Sequence, residues 1–401
     1  MSIPAISTAR RSLVVLSAPF RMFFLAAAAH GLAVVAAGPL LTRLHSPEAA
    51  AAWHAHELLF GYVPAVQAGI LLTAAASWTG RRLIAGVPVA TLLTLWVAGR
   101  LAVAAFGIGS LAGAVVATAF PAVLAIVLGR ELVLGRRLDQ VPVMAVLVVL
   151  TVALPLFHGE VAAAGRSVFA ERLAIAGIMA QFMVLLGRFI PLFIRDHLAA
   201  GGGALPSAFD RIDGLSIAVG LAALATWIVL PALDLPAPAA GVVMIAAGLT
   251  HFARQARWTP GRTWRDPLLF VLHLGYGALP LGFVVAGTAE IVAAPRLAFA
   301  TIHVWAIGGT GLTTLALMTR ATLGHTGRPL RALAGTAALY AAVIAALIAR
   351  IGGVLVMSWA AILMPLAGIC WLAAFGGFLA LYGPLLIRPD AVSLRPVPGR
   401  Q

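Results

Sequence analysis

Apolar residues run almost unbroken for about twenty positions at a time along the whole chain, and short clusters of arginine, proline and glycine separate the runs. About twenty residues is the length a helix needs to cross ~30 Å of hydrocarbon. The runs are uniformly apolar rather than alternating, which excludes the strands of a transmembrane barrel. They predict about twelve spans, near 18–42, 51–77, 86–107, 109–130, 141–160, 168–194, 213–232, 238–256, 267–289, 295–320, 332–351 and 356–384. No interval between them is long enough for an extramembrane domain. The segments 195–212 and 257–267, with Gly201-Gly202-Gly203, Pro206, Pro260 and Gly261, read as flexible connectors. The expected architecture is all-α: a polytopic bundle forming a single integral membrane domain over 1–401. A divide after the sixth helix would leave two six-helix halves, but no residue-level self-similarity marks a repeat.

Composition agrees, with 62% hydrophobic and 10% charged residues and a mean hydropathy of +1.03. Every basic residue is Arg, and the net charge is +14. That excess is not a nucleic-acid footprint, because no arginine cluster is interleaved with polar and aromatic residues on a soluble module. Topology explains it instead. With a cytoplasmic N-terminus, Arg10, Arg11, Arg81, Arg82, Arg130, Arg136, Arg137, Arg195, Arg211, Arg254, Arg257, Arg262, Arg265, Arg320, Arg328, Arg331, Arg388, Arg395 and Arg400 fall inside. Only Arg43, Arg166, Arg172, Arg296 and Arg350 fall outside, so both termini are expected in the cytoplasm. Thr8-Ala9-Arg10-Arg11 is read as a positive anchor rather than an export signal, because Pro19 and Arg21 interrupt the run behind it and no cleavage site follows. The lone Cys370 cannot form an intramolecular disulfide and reads as packing.

Against this background, ionisable residues inside spans carry the chemistry, because lipid offers them no hydrogen bonds. Trp53-His54-Ala55-His56-Glu57 opens the second span. Residues two apart on a helix diverge by ~200°, so His54 and His56 serve one ion only if the segment is irregular. Glu57 shares a face with His54 and suits a carboxylate orienting an imidazole. The alternative is an interfacial cluster anchored by Trp53; the pair together with Glu57 favours ligation. On the tenth span His303 shares a face with Thr310 and Thr314, and Gly308 and Gly311 would admit a neighbouring helix or a flat macrocycle. His273 and the loop residue His325 are candidates at the other end, and His30 lies mid-membrane on the first span as a possible axial ligand or a hydrogen-bonded core histidine. His45, His158, His197 and His251 receive no role. Arg188, beside Pro191, suits a carboxylate or haem propionate; Arg100 is placed to pair with Glu57; and Arg21 can snorkel to the surface. Histidines on separate helices of a membrane bundle are an arrangement that ligates haem or copper. Dinucleotide, zinc-protease, deaminase and serine-hydrolase signatures are absent from the sequence.

At these residues the chain resembles the NnrS family of bacterial haem- and copper-containing membrane proteins. The matching blocks are Phe20-Arg21-Met22-Phe23-Phe24-Leu25, Trp53 through Gly61, Ser77-Trp78-Thr79-Gly80-Arg81, Gly187-Arg188-Phe189-Ile190-Pro191 and Leu272-His273-Leu274-Gly275-Tyr276. The last is the run from His303 through Met318-Thr319-Arg320 to Gly324-His325-Thr326-Gly327-Arg328. Departures are small: Ala76-Ser77 stands where Pro-Asn is expected, and Leu186-Gly187 where Gly-Gly is expected. The resemblance implies a multi-pass protein of the bacterial inner membrane, tied to denitrification or nitrosative stress. It implies a b-type haem and copper, nitric oxide as the small ligand and an unidentified electron donor. It brings His54, His56, His273, His303 and His325 together as metal ligands; His30 joins them as a candidate from its mid-membrane position, and Arg188, Arg100 and Arg320 are the candidate cofactor contacts. A twelve-helix transporter of a metal or metal complex is the alternative expectation.

Overall fold

A computed structural model describes residues 14–199, 205–233 and 238–389, so Arg10, Arg11, Arg395, Arg400 and the Gly201-Gly202-Gly203 connector lie outside the described residues. Every long element is a helix: α1 (Pro19–Leu44), α2 (Pro47–Thr79), α3 (Val87–Phe106), α4 (Leu111–Leu134), α5 (Val141–Ala164) and α6 (Phe169–Ala199). They are followed by α7 (Arg211–Ala232), α8 (Pro238–Ala256), α9 (Pro267–Ile291), α10 (Pro295–His325), α11 (Thr336–Leu355) and α12 (Ala360–Ile387). All twelve expected spans are present, and 11 are long and apolar enough to cross a membrane. The exception is α8, whose last turns carry His251, Arg254 and Gln255.

The boundaries follow from local chemistry. Proline occupies the first turn of α1, α2, α3, α5, α9 and α10, where its missing N–H costs nothing. Ser46, Ser110, Asp210 and Asp266 accept backbone N–H groups as N-caps of α2, α4, α7 and α9. Gly80 ends α2 in the left-handed conformation (φ 67°), which a side chain would strain. Arg21 does not reach outward for solvent. Its buried guanidinium donates from Nη1 to the carbonyls of Leu386 at 2.9 Å and Arg388 at 2.8 Å, capping the end of α12.

Packing divides the chain into two units, at Arg166–Ser167, before the sixth helix rather than after it. Unit 1 comprises the chain to Arg166 with 317–333 and the end from Phe375, and unit 2 comprises Ser167–Ala316 and Ala334–Ala374. In unit 1, α2 packs on α1 and α4, and α4 packs on α3 and α5. In unit 2, α8 packs on α7 and α9, while α9 and α11 pack on the first part of α10.

The two units share an irregularity that hydropathy does not reveal. Immediately after His56, residues Glu57–Tyr62 of α2 wind as a π-helix; immediately after His303, residues Val304–Gly311 of α10 do the same. Such segments are rare and occur disproportionately at functional sites. The agreement extends along the chain. Pro47 follows Pro19 at the same interval as Pro295 follows Pro267, and Thr79-Gly80-Arg81 follows His56 at the same interval as Thr326-Gly327-Arg328 follows His303. Gly80 and Gly327 both have positive φ, 67° and 68°. Next come α3 and α11, each of 20 residues after an N-cap glycine of positive φ, with Arg100 and Arg350 at nearly the same register. Helices α1–α3 and α9–α11 therefore form a repeat in the order and register of their elements, conserved in prolines, glycines and intervals rather than in side chains.

Replacing Arg21 with Met should leave the Leu386 and Arg388 carbonyls at the end of α12 without their charged donor. A loss of about 3 kcal/mol is expected, the scale of charge-assisted hydrogen bonds to a buried cation, read as a lower thermal midpoint of the purified protein by tryptophan fluorescence. An unchanged midpoint would remove the capping role.

Candidate functional site

Each unit buries its own polar cluster. In unit 1 the π-turn brings Glu57 inward beside His56, and both are almost wholly buried. Glu57 Oε1 accepts from Arg100 Nη1 at 2.7 Å and from His56 Nδ1 at 2.9 Å, while Oε2 faces His30 Nε2 at 3.1 Å. On the far side of its ring, His56 Nε2 lies 3.1 Å from Nε2 of His158 on α5. The N–H of Gly109 donates to His158 Nδ1 at 3.2 Å. This sequence of contacts assigns the protons. Nδ1 of His158 accepts, so its Nε2 carries the proton and donates to His56 Nε2; His56 then donates from Nδ1 to Glu57. Glu57 is the carboxylate and Arg100 its cation.

Backbone irregularity and glycine make room for this network. The π-turn leaves carbonyls for side chains on other helices, with His30 Nε2 3.1 Å from the Glu57 carbonyl and Trp96 Nε1 donating to Gly61 at 2.9 Å. A Cβ on Gly61 would stand 2.5 Å from His30 Nε2 and 3.0 Å from Arg100 Nη1. The pairing of Arg100 with Glu57 follows the sequence expectation. The expected partnership of Glu57 with His54 does not; the adjacent His56 takes the carboxylate because the helix widens there.

Unit 2 buries a second ion pair that the sequence reading missed. Arg254 of α8, fully enclosed, donates from Nε to Asp213 of α7 at 2.6 Å, and from Nη1 to the Met183 carbonyl at 2.8 Å and the Tyr276 hydroxyl at 3.2 Å. Tyr276 lies 2.8 Å from His251 Nδ1. Because its oxygen accepts from Arg254, the hydroxyl proton goes to His251. Gly187 of α6 lies flat against the Arg254 guanidinium, which no larger residue there would permit. Thus the Gly187-Arg188 block owes its glycine to Arg254. At the edge of the cluster Arg257 pairs with both Asp210 and Asp213, and its guanidinium holds the Asp210 carboxyl below the ordinary carboxylate range. These arginines sit at the end of α8 and read as loop charges in the sequence, where only their spacing from Asp213 could have signalled a pair.

His273 of α9, also in unit 2, contrasts with both clusters. Its side chain is 3% exposed, yet neither Nδ1 nor Nε2 has a hydrogen-bond partner. Thr313, packed against Gly275 two residues on and so on the opposite face of α9, keeps a buried hydroxyl that is likewise unpartnered. An imidazole in this state bears the desolvation cost of two polar atoms with nothing to offset it, a deficit that a ligand on one nitrogen would remove. This donor fits a haem iron, which needs one deprotonated ring nitrogen from the protein. The His56–His158 pair does not fit a copper ion as it stands, because both nitrogens of His56 are taken and His158 presents a proton. Among the described residues no group of three or more His, Cys, Asp or Glu is arranged to hold a metal.

The remaining candidates lie on several helices of the two units. Arg188 is exposed on α6. His303 is half-buried, with Nδ1 3.1 Å from the Phe299 carbonyl, and Gly308 and Gly311 receive Leu347, Ala278 and Trp371 rather than leaving a slot. His325 is exposed and stacks near Phe20 at 5.3 Å, and His54 and Arg320 are half-buried. His30 belongs to the Glu57 network, as does His158, which spacing along one helix could not bring to notice.

Two substitutions probe these clusters. Asp213→Asn should cost roughly 3–5 kcal/mol by stranding Arg254 in the interior, and Asp213→Asn with Arg254→Met should recover part of it; thermal unfolding of the single and double variants reads the coupling. Gly61→Ala should displace His30 and Arg100 and cost about 1–3 kcal/mol. Equal midpoints for Gly61→Ala and the parent protein would mean that the network tolerates the extra methyl.

No curated protein matches this chain. The family model described as NnrS protein matches residues 14–390, from the start of the described residues through all twelve helices. By that match the chain belongs to the NnrS family.

Proposed function

We propose that this protein is a haem-binding membrane protein that handles or senses nitric oxide, seated in a bacterial inner membrane with both termini in the cytoplasm. The single observation that carries the reading is His273, a buried imidazole with two unpartnered nitrogens in a family member with a polytopic helical fold. His273 would hold the iron, and bound haem supplies a metal position that ligates nitric oxide. The chain supplies the surroundings. Leu269, one turn before His273 on the same face of α9, is fully buried and keeps that wall apolar. Nitric oxide is small and apolar enough to arrive through lipid, so no polar conduit is required. Arginine asymmetry supports the topology. The His56–His158 pair is given no copper, because its ring nitrogens are already committed to each other, to Glu57 and to Gly109.

Haem quantification and reduced spectra with and without nitric oxide test this on the purified protein. A Soret band that shifts with nitric oxide is expected, and His273→Ala should lose most of the bound haem while the helix content stays unchanged. A colourless protein that binds metal ions weakly would favour the transporter reading, and full haem retention by His273→Ala would remove the assignment.

A further inference from the structure

The repeat relates Arg100 of α3 to Arg350 of α11, but the surroundings of the two arginines differ in one decisive respect. In unit 1 the residue after the histidine that starts the π-turn is Glu57, and it neutralises Arg100. In unit 2 the residue after His303 is Val304. Among the described residues no carboxylate pairs with Arg350. Its Nη1 meets the thioether of Met364 at 3.1 Å, its guanidinium carbon lies 5.7 Å from the Phe299 ring, and its Nε, like that of Arg100, is buried without a hydrogen-bond partner. A snorkelling arginine carries its head to water along an exposed stem. Here the Nε end of the head is enclosed, and the contacts of Arg350 are a sulfur and an aromatic face.

Arg350 is half-buried near the outer end of α11, and it lacks the carboxylate counter-charge that Arg100 possesses. The template for what is missing stands in unit 1. Glu57 presents two oxygens on one trigonal carbon, a shape that matches the planar guanidinium fork. We propose that Arg350 is the anchor of an anion site for a carboxylate or a like-shaped planar oxyanion, filling in unit 2 the role that Glu57 fills in unit 1. α11 packs on both the first turns and the π-turn of α10, so the site lies along the segment that carries His303, whose ring packs on the same Phe299 at 4.7 Å. The assignment stands whether or not His273 holds haem.

The test uses the full-length protein in detergent, with acetate and nitrite as probes against chloride at constant ionic strength, and thermal unfolding as the readout. Millimolar acetate or nitrite should raise the midpoint of the parent protein, and Arg350→Gln should weaken the apparent affinity by roughly tenfold or more, with Arg350→Lys intermediate. Val304→Glu, which restores the unit 1 arrangement, should raise the midpoint without added anion and abolish the response. Native mass spectrometry distinguishes the source: a carboxylate-bearing lipid or cofactor that copurifies with the parent protein and is lost from Arg350→Gln shows a site already filled, whereas a copurifying lipid whose only anionic group is a phosphate overturns the planar-anion assignment. The proposal fails if neither added nor copurifying anions depend on Arg350.

Discussion

An ionised side chain in hydrocarbon must find its counter-charge inside the protein, because removing each ion from water costs several kcal/mol and lipid returns none of it. In unit 1 the Glu57–Arg100 pair at 2.7 Å meets that demand, and much else there is arranged around it. The π-turn rotates Glu57 inward, Gly61 clears space for two partners, and His30 and His56 occupy the remaining lone pairs of the carboxylate. His158 then closes the chain of donors by giving a proton to the outer nitrogen of His56. Each part has a purpose only if the carboxylate is charged. Neutralising Glu57 would leave Arg100 as an isolated cation and the two imidazoles without a shared acceptor.

The same constraint distinguishes the units. Unit 2 satisfies Asp213 and Arg254 with each other, with a carbonyl and with a phenol, at the expense of any side chain on Gly187. It leaves other polar atoms without partners, among them both nitrogens of His273, the Thr313 hydroxyl, His251 Nε2, Arg254 Nη2 and Arg350 Nε, while in unit 1 Arg100 Nε is left in the same state. The carboxylate of Glu57 meets its cation and two imidazoles in unit 1, whereas in unit 2 a valine follows His303 at the corresponding position.

Most of the architecture was legible in the sequence, since a membrane span is a matter of length and apolarity and these are additive along the chain. All twelve helices appear near their expected positions, and Arg100 with Glu57 was readable because both were costly residues at compatible depth. The π-turns were not legible, because a change from four to five residues per hydrogen bond leaves hydropathy untouched. That same widening is why Glu57 went to His56 rather than to His54. The role of His158 depends on a contact between distant helices, and Arg254 looked like one more arginine at a helix end until Asp213 met it. The repeat escaped notice because its prolines, glycines and intervals persist while the side chains between them have diverged.

The central claim is that buried polar groups are closed among themselves around Glu57 and open to a ligand at His273. A cryo-electron microscopy map of the protein purified with its native ligands tests this most directly. The account predicts non-protein density joined to an imidazole nitrogen of His273 and none between His56 and His158. A map in which His273 meets only protein atoms, while a metal bridges His56 and His158, would contradict it.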